Sequence, residues 1–160
     1  MSESRSVLPP ETAATWQVVE VLGLLFLVVG GWSLFSPLFP LNIGVSEWEF
    51  GTASSFFDTV PIFGLGLGLL LAAGLAFGWR SQVRVVALAC VLLALVLWLA
   101  AGLYATVVPQ VFNAAPSPNA LTAIKKGVIK AACEILIYPV AFVWLGIWAW
   151  RRSAGRREWG

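Results

Sequence analysis

Four long stretches of this sequence contain no charged residue, and they restrict the chain to few possible folds. An ionised side chain at the centre of a bilayer costs about 3 kcal/mol on insertion scales, and a spanning helix needs about 20 apolar residues. The third stretch is too long for one span, and Pro109 with Asn113 predicts that its helix stops near Val108. The uncharged stretches cover residues 21–46, 59–79, 85–124 and 135–150.

We therefore expect an all-α integral membrane protein, a four-transmembrane-helix bundle that forms a single membrane domain over residues 1–160. The composition agrees, because 59% of the residues are hydrophobic and 11% are charged, whereas about 25% are charged in soluble domains. A soluble domain of this length leaves roughly 30% of its unfolded-chain surface in water, too much for so apolar a chain. The expected helices cover approximately residues 16–37, 60–79, 82–108 and 124–150, between cytoplasmic tails at 1–15 and 151–160.

The basic residues predict the orientation of the chain. Four spans place both termini on one side of the membrane, and the positive-inside rule makes the arginine-rich side cytoplasmic. The chain resembles small four-span proteins of bacterial inner membranes in general, which implies a cytoplasmic or photosynthetic membrane. The arginines on the predicted cytoplasmic side are Arg5, Arg80, Arg84, Arg151, Arg152, Arg156 and Arg157.

The sequence contains no histidine. Haem and chlorin groups in membranes, like zinc and copper sites, usually take an imidazole ligand. We therefore expect no metal site, no cofactor of the chain's own, no catalytic residues and no enzyme activity, whereas lipids or pigments could be held by neighbouring subunits. A net charge of +2 gives no reason to expect a nucleic-acid partner.

The second predicted helix carries small residues at every fourth position. In lipid, such a ridge favours close helix packing, because association depends on packing rather than on a hydrophobic driving force. The ridge faces either another helix of the same chain or another subunit. Its residues are Gly64, Gly68, Ala72 and Ala76.

The first outer loop predicts a short helix that lies in the membrane interface. Ser46 and Glu49 have the spacing of a capping box, and Asp58 is placed to cap the second spanning helix. This acidic, aromatic segment is either structural or a docking surface for a partner subunit or an extrinsic protein. The candidate docking residues are Glu47, Trp48, Glu49, Phe50 and Phe57.

Polar side chains recur four residues apart on the fourth predicted helix. Glu134 lies deep enough that facing lipid would be costly, so we expect it to face protein or water. Lys130 and Glu134 either form a structural pair, with Asp58 nearby, or take part in a proton- or ion-transfer step. The full stripe is Lys126, Lys130, Glu134 and Tyr138.

Arginines at the end of the chain are expected to anchor it to anionic lipid or to an acidic partner. They are Arg151, Arg152, Arg156 and Arg157.

The sequence favours a non-catalytic structural or accessory subunit that packs against a larger membrane protein complex, for example a respiratory or photosynthetic assembly, and stabilises it. The missing imidazole ligands, the short loops and the small-residue ridge support this hypothesis. Its expected partners are membrane lipid and other integral membrane subunits. The alternative is a small oligomeric transporter or ion-pathway protein that uses Lys130 and Glu134.

Overall fold

A computed structural model of the chain describes residues 9–39, 41–42, 44–115 and 117–154. Each of its four α-helices is long and apolar enough to cross a membrane. A short 3-10 helix, Ser36–Leu38, follows the first of them, and the described residues contain no strand. The helices are α1 (Pro10–Phe35), α2 (Ser46–Phe77), α3 (Arg80–Asn113) and α4 (Pro118–Ala154).

The helices are longer than the charge-free stretches indicated. α3 continues through Pro109 to Asn113, so the predicted stop near Val108 is too early. α4 begins at Pro118 rather than at residue 124, and it continues through Pro139. A proline removes one backbone hydrogen bond, but the turns on either side of it stay helical. In an apolar setting no water is present to replace the backbone hydrogen bonds of those turns.

The predicted interfacial helix is not confirmed as a separate element, because residues 46–58 form the first turns of α2. Asp58 therefore lies inside a helix and does not cap one. The residue before the helix is Val45, which provides no side-chain cap, and the carboxylate of Glu49 accepts a hydrogen bond from the Gly44 N–H at 2.9 Å. The side chains of Ser46 and Glu47 lie outside the described part of the structure.

A two-residue turn reverses the chain between α2 and α3. Gly78 has φ 71°, in the left-handed region that glycine adopts without steric cost. The N–H of Trp79 then donates to the Gly74 carbonyl at 2.8 Å, and this bond closes the end of α2. α3 consequently returns antiparallel to α2.

We call the end of the molecule that contains Arg80 and Arg152 the arginine end. The opposite end, where α2 and α4 begin, is the loop end.

Helix α2 lies at the centre of the arrangement. It contacts α1, α3 and α4, and α3 also packs along α4. Within the described residues, α1 contacts neither α3 nor α4. The predicted four-helix bundle is therefore not confirmed in its closed form, in which each helix would have two neighbours.

Glycines on α2 explain this arrangement. At Gly66 a Cβ would lie 2.9 Å from the Gly23 carbonyl oxygen of α1, whereas at Gly64 it would lie 2.6 Å from the Phe142 ring of α4. Residues two apart on a helix point about 160° away from each other. α1 and α4 thus occupy nearly opposite sides of α2.

Candidate functional site

The main charged cluster of the described residues joins α2 to α4 near the loop end. Lys130 Nζ donates to Asp58 Oδ1 at 2.5 Å and lies 3.9 Å from Glu134 Oε1. The Lys130 and Asp58 side chains are 58% and 48% exposed, whereas Glu134 is only 13% exposed. Lys130 therefore bridges an open carboxylate on α2 and a largely enclosed one on its own helix.

Aromatic side chains from α2 and α3 lie beside this cluster. The Tyr104 ring stacks on Phe50, with centroids 5.3 Å apart, and meets the edge of Phe57 at 5.9 Å. Its hydroxyl is buried and has no hydrogen-bond partner within the described part of the chain. The carboxylate of Glu134 lies within electrostatic reach of the Tyr104 and Tyr138 hydroxyl groups.

The predicted polar stripe is thus only partly brought together. Lys130 and Glu134 share one cluster, and Tyr138 is half-buried near them. Lys126 is exposed and forms no ion pair with any described residue. Two carboxylates around one ammonium group can hold a proton or exchange a small cation.

Two of the candidate docking residues pack inside the molecule, one completely and one in part. Phe57 is fully buried, and Phe50 is half-buried against Tyr104, because the start of α2 packs directly on α3. Trp48 and Glu49 are half-buried at the loop end, and the Glu47 side chain belongs to the undescribed part. Of the docking residues predicted from the sequence, Phe57 is an internal contact, whereas Trp48, Glu49 and Phe50 stay partly exposed.

The predicted small-residue ridge is divided between two environments. Gly64 receives the Phe142 ring of α4, whereas a Cβ at Gly68 would meet no atom within 4 Å. Ala72 and Ala76 are half-buried. One end of the ridge is an internal packing site, and Gly68 faces open space.

Sequence reasoning missed the glycines that hold α1. A Cβ at Gly30 would lie 3.0 Å from the Phe63 backbone, and one at Gly23 would lie 3.0 Å from the Leu70 side chain. Gly23 and Gly30 are seven residues apart, a spacing that places both on one helix face and that the sequence displays. Tyr104 was also missed, because a single tyrosine in an apolar helix carries no periodic signal.

The arginine end carries cation–aromatic contacts. The guanidinium carbon of Arg152 lies 4.6 Å from the Trp148 ring centroid, and that of Arg84 lies 5.8 Å from the Trp150 centroid. Arg151 is exposed. Of the four predicted anchor residues, Arg156 and Arg157 lie outside the described residues.

Neither the cysteines nor the carboxylates assemble a metal site in the part of the chain that is described. Cys90 is buried on α3, Cys133 is exposed on α4, and both are free thiols. Comparison with protein-family models, curated proteins and solved structures gave no match.

Proposed function

We propose that this protein is a non-catalytic accessory subunit, one that packs against a larger integral membrane protein and stabilises it. The observation that carries the proposal is the position of α1, which contacts α2 alone among the other described α-helices.

The outward face of α1 is a continuous apolar surface. Trp32 is 76% exposed and Val28 is 70% exposed. In lipid, helices gain stability by packing against other helices. A helix with one neighbour can therefore gain further stability by packing against a second membrane protein. The other exposed apolar residues along this helix include Val18, Val21, Leu25, Val29 and Phe35.

The expected location, a bacterial inner membrane with both termini in the cytoplasm, belongs to the same proposal. It is supported by the arginines at one end of the four helices. No cofactor of the chain's own is proposed, in keeping with the absence of histidine.

Purification from native membranes in a mild detergent tests the proposal. We expect the chain to be recovered with an integral membrane partner in fixed stoichiometry. A monodisperse lone chain from the same membranes would contradict the accessory role.

A matched pair of variants tests the assigned surface. Val28→Trp enlarges the outward face of α1, and Val85→Trp makes the same change at a comparably exposed position of α3, 66% against 70%. We expect V28W to reduce partner recovery and V85W to leave it unchanged. Equal partner recovery with both variants would show that the outward face of α1 is not the docking surface.

The enclosed carboxylate of Glu134 favours a second candidate function, a small oligomeric transporter or ion pathway. Its side chain is 13% exposed, and Lys130 lies beside it. The nearby Tyr104 hydroxyl has no hydrogen-bond partner among the described residues. Glu134→Gln is then expected to abolish proton or cation flux in proteoliposomes, whereas Glu49→Gln at the same end leaves flux intact. Unchanged flux in E134Q would exclude this candidate.

A further inference from the structure

Three side chains form a continuous stack along α4 toward the arginine end. The Trp144 and Trp148 rings are stacked with centroids 6.5 Å apart and an interplanar angle of 21°. The Arg152 guanidinium then lies over Trp148, 4.6 Å from its centroid. The spacing of four residues places all three on one side of the helix.

This stacking fixes Arg152 without consuming its hydrogen-bond donors. A guanidinium that lies over a ring uses its flat face, while its five N–H donors point outward in its plane. No carboxylate of the described chain lies within ion-pair distance of Arg151 or Arg152. Among the described residues, the two cations therefore keep donors free for an anion.

An open pocket of about 410 Å³ lies against the stack. Trp144, Ile147 and Trp148 form its apolar wall, and Arg151 and Arg152 form its cationic end. Trp144 lies about 12 Å from Arg152 along the helix axis. The pocket thus changes from apolar to cationic along the axis of α4, as an amphiphile with an anionic head requires.

We propose that this pocket binds one phospholipid with an anionic head group. Arg152 and Arg151 donate to the phosphate oxygens, and an acyl chain lies along Ile147 and Trp144. Charge complementarity selects the head group, because a planar guanidinium can make paired hydrogen bonds to phosphate. The negative end of the α4 dipole, about half a charge, opposes the phosphate, but two full positive charges outweigh it. This inference is independent of the proposed accessory role.

Native mass spectrometry of the full-length chain tests the proposal. The protein is equilibrated in mild detergent with equal amounts of phosphatidylglycerol and phosphatidylcholine. We expect wild-type protein to retain phosphatidylglycerol preferentially. Arg151→Gln with Arg152→Gln should lower that preference roughly tenfold or more, given the usual contribution of basic residues at anionic membrane surfaces.

The control is Lys125→Gln with Lys126→Gln, which removes the same charge at the opposite end of α4. Arg156 and Arg157 stay in place in every variant. We expect the lysine double variant to keep the wild-type preference. An equal loss of phosphatidylglycerol preference in both double variants would show a general charge effect and overturn the proposed site.

Two measurements on wild-type protein do not depend on whether a variant folds. Equal retention of the two lipids would overturn the proposal. Displacement of phosphatidylglycerol by excess inorganic phosphate would identify a free-phosphate site and overturn the lipid assignment, whereas resistance to displacement supports it.

The variant Arg152→Lys keeps the charge but loses the planar stack, so an intermediate preference supports the role of stacking and a wild-type preference contradicts it.

Discussion

Single glycines determine which helices of this protein touch. The clearest case is Gly66, where a Cβ would lie 2.9 Å from both the Gly23 carbonyl oxygen and the Leu27 backbone nitrogen. Both are backbone atoms of α1, so neither can move aside by a change of rotamer. The contact between α1 and α2 therefore depends on the absence of a side chain at this position.

Gly66→Ala is expected to destabilise the protein by about 1–3 kcal/mol, the usual range for overpacking a close contact. The measurement is the free energy of unfolding in mixed micelles. Gly68→Ala, two residues away, is the control, because its Cβ would meet no atom within 4 Å. A loss in G68A as large as that in G66A would contradict the assigned contact.

At the scale of elements, an ion pair joins α2 and α4 at the loop end. Asp58 of α2 accepts from Lys130 of α4, and Glu134 lies one turn further along α4. Toward the helix middle, the contact passes to Gly64 and Phe142. The ion pair and the Gly64–Phe142 contact thus join α2 and α4 at two levels along the helices.

Lys130→Gln is expected to cause a small loss of thermal stability, on the order of a few degrees, because exposed ion pairs contribute little. Without the ammonium group, Asp58 and Glu134 face each other as like charges. Lys126→Gln is the matched control, since Lys126 is exposed and unpaired among the described residues. Thermal denaturation at low and high salt measures the difference in melting temperature between the two variants. Salt should reduce this difference because it screens the charges. Equal melting temperatures of the Lys130→Gln and Lys126→Gln variants at low salt would show that the Lys130 ion pair adds no stability.

At the scale of the whole molecule, α1 is attached to one side of a unit formed by α2, α3 and α4. The Gly66 and Gly64 contacts point in nearly opposite directions, so α1 and α4 are separated by the width of α2. A helix held by one neighbour opens at lower cost than one held by two.

Hydrogen exchange of the isolated protein in detergent is therefore expected to be faster in the middle of α1 than in the middle of α3. The middle of α3 packs against both α2 and α4. Mass spectrometry of peptides from the two helices provides the comparison. Equal protection in α1 and α3 would show that α1 is held by more than its contact with α2.

Four spans also predict that both termini lie on the same side of the membrane, and the arginine end predicts that this side is cytoplasmic. Reporter fusions at each terminus test this, with one reporter that is active only inside the cell and one that is active only outside. We expect both fusions to give the cytoplasmic signal. Opposite signals at the two termini would exclude four spans.

The sequence alone determined that four helices of spanning length exist, because the hydropathy of a segment and the cost of a charge in lipid are local properties. It also placed Lys130 beside Glu134, since residues four apart on a helix are neighbours. Tertiary structure decided the rest. These helices are apolar on most faces, so amphipathicity could not indicate which face of α2 meets α1, α3 or α4. That choice depends on fits of about an ångström, such as Gly66 against the backbone of α1, and on the meeting of Asp58 with Lys130 across 72 residues of chain.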